Sequence, residues 1–237
     1  MRRIPAVQRT FELEAARMLS PTVRELVLVT ADRAPFDYLA GQWLKLYLPN
    51  GIDRDYSIAS APTPVAPHRV VLTVTLVEGG PGSEYLHRIE EGAKLETLGP
   101  SGLFTREHRD APAVYIGTGT GLAPLKAMLE EELRRDDGPS QLLLFGCRTE
   151  ADILYREELE SLSRTHERFR FEVTLSRCDA SWQGRRGWVQ HHLNELAPDV
   201  PAHFYVCGLS NMVTAVRRTL KEDLHIDRRF VHSERYD

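Results

Sequence analysis

"AVYIGTGTGLAPLKAMLEEELRR", residues 113–135, is where the chain changes rhythm. Its first five residues (113–117) are a continuous apolar run of strand length, as expected of a strand buried on both faces. A glycine turn follows. Then Leu122, Leu125, Met128, Leu129 and Leu133 recur at helical spacing on one face. Pro124 falls in the first turn, where its missing N–H removes no helical hydrogen bond. "DDGP" (136–139) closes the helix. The same alternation continues downstream, with strands at "QLLLFG" (141–146), "RFEVTLS" (170–176) and "HFYVCG" (203–208). Helices fall at "YREELESLS" (155–163) and "SNMVTAVRRTLKEDL" (210–224), the latter with Met212, Val213, Val216, Leu220 and Leu224 in one stripe. Strand and helix in alternation predict a parallel sheet covered by helices on both faces.

Upstream the period is that of strands. Residues 24–30, 42–48, 69–77 and 94–99 alternate partly with period two and are rich in β-branched residues. Gly41, "PNG" (49–51), "APTPVAP" (61–67) and "GGPG" (79–82) break them apart. One helix is expected at "SEYLHRIEEG" (83–92), with Ser83 as its N-cap and Gly92 just past its end. Short strands with a single helix suggest a small antiparallel barrel. The expected fold is therefore an α+β chain of two domains, an antiparallel β-barrel at 1–107 followed by an α/β parallel-sheet domain at 108–237. "TREHRDAP" (105–112) is the expected linker.

Composition narrows the function by exclusion. The 237 residues are 42% hydrophobic and 27% charged, ordinary for a globular protein, and the net charge is −4. No basic run exceeds a pair, so neither nucleic acid nor an anionic membrane is an expected partner. Cys147, Cys178 and Cys207 are far apart with no CxxC pair, so no iron–sulfur or zinc site is expected. Sparse, odd cysteines fit a reducing compartment. The first 18 residues hold no apolar core of a signal peptide, and no stretch reaches the length of a membrane span, so the expected location is cytoplasmic.

The strand ends carry the chemistry. Open parallel sheets bind ligands at the carboxyl ends of their strands. Here those ends read Gly117–Thr118–Gly119, Gly146–Cys147–Arg148, Ser176–Arg177 and Cys207–Gly208. The turn is GxGxG, not GxGxxG, and Arg148 stands near where a standard dinucleotide fingerprint would place an acid. Taken alone, the glycines fit a tight turn as well as a phosphate cradle, and Cys207 fits a small buried apolar residue. Similarly, "RDYSIAS" (54–60) fits an ordinary strand, or an arginine, a ring and a hydroxyl directed at one ligand.

Four motifs taken together decide between these. Arg54-Asp55-Tyr56-Ser57, Gly80-Pro81-Gly82-Ser83, Gly117–Gly121 followed by "LAP", and Cys207-Gly208 with Met212 four residues on occur in that order over nearly the whole chain. In this the sequence resembles the ferredoxin–NADP(H) reductase family, the flavin-dependent electron-transfer enzymes. The resemblance implies that the barrel binds flavin and the α/β domain a nicotinamide nucleotide. It gives Arg54 the flavin pyrophosphate, Tyr56 the inner face of the isoalloxazine and Ser57 its N5 edge. Gly80, Gly82 and Ser83 would cradle the pyrophosphate. Gly117, Thr118, Gly119 and Gly121 would approach the nicotinamide nucleotide, with Cys207 and Gly208 beside the nicotinamide ring. In "HSERYD", the chain's last six residues, Tyr236 is the candidate cover for the flavin's outer face and Glu234 a candidate proton relay. One residue, Asp237, follows Tyr236, and a C-terminal tail of this kind is expected to fray.

The same resemblance implies FAD, although the proline-rich loop after "RDYSIAS" lacks an aromatic to stack on adenine. Ser176, Arg177, Arg185 and Arg186 sit where the family's NADPH enzymes hold a 2′-phosphate, whereas "WQGRRG" (182–187) also resembles the NADH-using oxygenase reductases; the donor is expected to be NADPH or NADH, with a slight lean to NADPH. The implied activity is hydride transfer from NAD(P)H to FAD. Electrons would then pass to a separate ferredoxin, an oxygenase component or another acceptor, because no cysteine-rich ferredoxin segment is present in this sequence. The other reading is a flavin-binding redox sensor or electron-transfer subunit that does not turn over nicotinamide.

Overall fold

The structure is a computed structural model that describes residues 4–198 and 200–236. Contacts divide the chain into two units. One contains the residues up to Glu107 with Lys126–Glu131; the other contains His108–Leu125 and the residues from Glu132 onward.

The first unit is an antiparallel sheet of β1 (Val7–Ser20), β2 (Val23–Thr30), β3 (Trp43–Leu48), β4 (Ile52–Ser57), β5 (Arg69–Thr75) and β6 (Lys94–Ser101), in the order β4-β3-β6-β1-β2-β5. The sheet curls until its outer strands meet. Just past β4, Ile58 bridges Leu72 of β5, and the Ala59 amide donates to the Val71 carbonyl at 2.7 Å. Phe11, Leu26, Leu28, Leu44, Leu46 and Leu72 fill the interior and are wholly buried. The expected barrel is present. β1, its longest strand, falls on a stretch with no clean alternation, and the pairing explains why. Its register with β2 shifts between Leu13 and Ala15 and again between Met18 and Ser20. Each irregularity changes which face the next residues point to, so one period cannot run the length of the strand.

One helix, α1 (Pro81–Arg88), packs on this sheet, and its start corrects the sequence reading. Gly80 occupies the N-cap, Pro81 begins the helix, and Ser83 lies inside the first turn. The Ser83 hydroxyl instead closes the preceding loop, accepting from the Val77 amide and donating to the Gly80 carbonyl, both at 3.0 Å. Gly92 lies beyond the helix in a turn at φ +85°. Leu86 anchors α1 in the barrel core. Arg24 of β2 donates to the carbonyls of Leu86 and Ile89 at 2.9 and 3.0 Å, satisfying groups at the helix's open C-terminal end.

The second unit is a parallel sheet in the order β10-β9-β8-β7-β11-β12. Its strands are β7 (Ala113–Thr118), β8 (Gln141–Cys147), β9 (Phe169–Leu175), β10 (Arg185–Arg186), β11 (His203–Gly208) and β12 (Val231–Arg235). The helices are α2 (Leu122–Leu133), α3 (Arg156–Thr165), α4 (Leu193–Leu196) and α5 (Ser210–Glu222). Val114, Ile116, Leu142, Leu144, Phe204 and Val206 form one face and pack with Leu193, Val213, Val216 and Leu220. The α2 residues named from their spacing are all buried. Two strands were not expected. β10 is a two-residue edge strand. β12, in a stretch that carries no strand signal, pairs in parallel with β11 from Phe204↔Val231 to Gly208↔Arg235. Asp237 lies outside the described residues.

Leu28, wholly buried in the barrel, provides a test of the first unit's core. Leu28→Ala should cost about 2–5 kcal/mol, seen as a lower urea midpoint with an unchanged slope. A shift equivalent to under ~1 kcal/mol would contradict this packing.

Candidate active site

In the first unit, two motifs distant in sequence meet. β3 and β4 form a hairpin in which Leu46 opposes Arg54, Leu44 opposes Tyr56 and Trp43 opposes Ser57. Arg54 is exposed, Tyr56 half-buried and Ser57 buried. The first turn of α1 lies against this hairpin. A Cβ added to Gly82 would stand 3.1 Å from Leu48 Cδ1 and 3.3 Å from Arg54 Cγ. Glycine therefore keeps the helix start within reach of the arginine. The N-cap glycine supplies no side-chain hydrogen bond to the first-turn amides, and a helix start of this kind suits an anion; the Arg54 side chain passes beside it, its Nη1 donating to the Asp53 carbonyl at 2.7 Å. Burial pushes the Tyr56 hydroxyl up to about 12, against a smaller downward pull from Arg54. Its ring is uncharged at neutral pH.

In the second unit, the chain runs from β7 outward through β8 to β10, then returns to add β11 and β12 on β7's other side. The order reverses between β7 and β11, and ligands of such sheets bind in the crevice that opens there. Gly117 opposes Cys207 across this pair. The turn after β7 folds over the end of β11. A Cβ on Gly121 would overlap the Cys207 carbonyl, and one on Gly208 (φ +149°) would collide with the Thr118 hydroxyl and stand 2.7 Å from Met212 Cε. The Thr118 hydroxyl is buried and has no hydrogen-bond partner among the described residues. Gly119, at φ +54°, has open space beside it.

β12 brings two further candidates to the same place. Glu234 opposes Cys207, and the Tyr236 amide donates to the Gly208 carbonyl at 3.1 Å. Burial pushes the Cys207 thiol well up; a hydrogen bond from Tyr236 pulls it down, and the Glu234 carboxylate adds to the rise. The thiol is therefore neutral at physiological pH and is not a nucleophile.

The arginines at the neighbouring strand ends divide into two kinds. The Ser176 amide donates to the Cys147 carbonyl at 3.0 Å and the Arg177 amide to the Arg148 carbonyl at 2.8 Å. This extends the β8–β9 pairing and sets Arg148, Ser176 and Arg177 side by side. All three are exposed, and neither arginine has an ion-pair partner among the described residues. Arg185 differs. It grips Glu195 with two contacts of 2.6 and 2.8 Å and donates to Glu172 at 2.9 Å. Its guanidinium is engaged by these two carboxylates within the fold. Arg186 bonds backbone carbonyls of its own loop, Trp182 at 2.6 Å among them.

Sequence reasoning missed Arg24, which holds α1 in position, and Glu172 and Glu195, which occupy Arg185. An arginine on an alternating strand and a glutamate on a short helix carry no local signal of such partners.

The sequence matches two family profiles. One is described as an oxidoreductase FAD-binding domain, over residues 10–105; the other is an oxidoreductase NAD-binding domain, over residues 115–218. The chain is 49% identical to a protein named ferredoxin–NADP reductase B of Sorangium cellulosum, covering 95% of this chain and 96% of that one. It is 32% identical to the anthranilate 1,2-dioxygenase electron transfer component of Acinetobacter baylyi, covering 80% of this chain but only 57% of that component. Among solved structures, an Amycolatopsis cytochrome P450 reductase aligns with a TM-score of 0.88 at 27% identity, covering 98% of this chain and 70% of that one.

The Arg185 cluster has a pH signature. Its guanidinium holds the Glu195 carboxyl below its ordinary value of 4.5. The stabilisation is therefore complete above pH 4.5 and disappears as the pH falls through the lower, folded value. Arg185→Ala should unfold at a lower temperature than the parent at pH 7, with the gap narrowing in acid. Its preference between NADPH and NADH should not change; a selective loss of NADPH would restore Arg185 to the binding site.

Proposed function

The chain belongs to the ferredoxin–NADP(H) reductase family, and on that premise we propose how its residues divide the work of an FAD-dependent NAD(P)H oxidoreductase. Arg54 and the amides of Gly82 and Ser83 hold the FAD pyrophosphate, with Gly80 setting the entry to the helix. Gly82 supports the assignment, because any side chain there would fill the space beside Arg54. Tyr56 offers an uncharged ring to the flavin, a contact worth ~0.5–1.5 kcal/mol beyond area burial. Ser57 directs a hydroxyl to the reactive edge. Bound FAD supplies the redox chemistry, taking up a hydride and releasing electrons singly or as a pair.

Gly117, Gly119 and Gly121 let a nicotinamide nucleotide approach the backbone, and the Thr118 hydroxyl meets it with an unused hydrogen-bonding group. The observation that carries this reading is the glycine turn seated on Cys207-Gly208 with that hydroxyl buried and unpartnered. Cys207 packs beside the nicotinamide as a neutral, polarisable group. Tyr236 covers the flavin until the nucleotide displaces it, and Glu234 relays a proton. Arg148, Ser176 and Arg177 hold a 2′-phosphate, which makes NADPH the donor. The acceptor is a separate protein, a ferredoxin or an oxygenase component. Among the described residues no helix is long and apolar enough to cross a membrane.

Anaerobic titration of the yellow holoprotein tests the activity and the donor together. NADPH should bleach the flavin at lower concentration than NADH. A flavin bleached by neither would return the protein to the class of sensors and electron-transfer subunits.

Two variants separate the cradles. Arg54→Ala should lose flavin on dialysis, and full retention would remove Arg54 from the phosphate site. Arg177→Ala should raise the KM for NADPH about tenfold, as expected for one charge-assisted contact. The KM for NADH should stay within about twofold of the parent, and equal losses would point to a general role in folding or docking.

A further inference from the structure

Three histidines gather at the amino end of the parallel sheet, opposite the strand ends that carry the glycine turn. His203 opens β11, His232 is the second residue of β12, and His108 lies in the segment ahead of β7. His203 Nδ1 and His232 Nε2 are 2.9 Å apart, and one potential ligand nitrogen from each of the three rings lies within 4.8 Å of the others. His203 is 7% exposed, so its imidazole is fixed by its surroundings. Phe230 meets its ring edge-on at 5.2 Å, and Tyr205 stacks on His232 at 4.8 Å. His108 is exposed and stacks on His203 at 4.0 Å.

The donor set selects a class of ion. Two ring nitrogens 2.9 Å apart share a single proton, so one lone pair already points into the gap between the rings. An all-imidazole site suits zinc and its neighbours in the first transition row, whereas magnesium and calcium need oxygen ligands. Zinc takes imidazole nitrogen at about 2.0–2.1 Å, which places nitrogens around one tetrahedral ion about 3.3 Å apart. The His203–His232 pair reaches that spacing by opening a few tenths of an ångström. His108, at the surface, reaches it by turning its ring out of the stack. Three imidazoles leave a fourth position for water.

We propose that His108, His203 and His232 bind one divalent ion of the zinc class, fastening the segment ahead of β7 to the β11–β12 edge. The site is separate from the flavin and nucleotide cradles and does not depend on their assignment. It gives the His203–His232 contact a use that the redox chemistry does not require. β12 carries Glu234 and Tyr236 further along, so an ion here would anchor the opposite end of the strand that presents them.

The test uses tag-free holoprotein, stripped with a chelator and titrated with Co²⁺. One equivalent should bind with the visible absorption of imidazole-ligated cobalt, and one equivalent of Zn²⁺ should displace it. Zn²⁺ should also raise the unfolding temperature. His108→Gln, at an exposed position, should weaken Co²⁺ binding by at least about tenfold with flavin absorbance unchanged. His232→Gln should abolish the cobalt spectrum; if that variant does not fold, His108→Gln decides the question. Absence of cobalt binding at millimolar concentration would overturn the site, as would binding that survives in His108→Gln with unchanged affinity.

Discussion

The second unit depends on one close approach, that of the Gly121 backbone to the carbonyl of Cys207. No Cβ fits there. The turn after β7 must therefore lie flat on the end of β11, and that position brings Thr118 against Gly208. Sheet order then determines what else arrives. Because β11 is added on the far side of β7, the Cys207-Gly208 end opens beside the turn and not behind it. Because β12 is added to β11 in register, Glu234 and Tyr236 end beside the same cysteine. A steric constraint at one α-carbon and a strand order thus assemble a site from residues more than 100 positions apart.

The first unit uses the same device with different supports. Gly82 does for α1 what Gly121 does for the turn before α2, letting a helix start approach a functional group that a side chain would shield. A glycine cradle is only as well placed as the helix behind it. Here Leu86 buries the helix's inner face in the barrel and Arg24 grips its carboxyl end. Both act through position alone, without touching the groups that the helix start presents.

The parts of the fold legible in the sequence were those with one unbroken period. β7, β8 and β11 are buried on both faces and read as apolar runs. The apolar stripes of α2 and α5 kept 3.6-residue spacing over three turns. β1 was hidden by its irregular register, and β12 by a sequence, "VHSER", with one strongly apolar residue in five. An edge strand buries little, so little in its composition identifies it. The glycines of the site were legible because backbone proximity admits no substitute. The Arg185 cluster was not, since an arginine near a phosphate site and an arginine paired with two carboxylates have the same local sequence.

β12 also shows how the two faces of a thin edge can serve different ends of the sheet. Val231 packs with the apolar cluster on one face, while His232, Glu234 and Tyr236 alternate onto the other with His203, Tyr205 and Cys207. That second face runs from the histidine group, through the stacked Tyr205 and Tyr115 (ring centroids 5.6 Å apart), to the Cys207 thiol. A five-residue strand paired on one side opens more readily than any strand inside the sheet. Contacts at both ends oppose that opening: Val231 packs against the apolar cluster, His232 lies between the rings of Tyr205 and His203, and the Tyr236 amide donates to the Gly208 carbonyl at 3.1 Å.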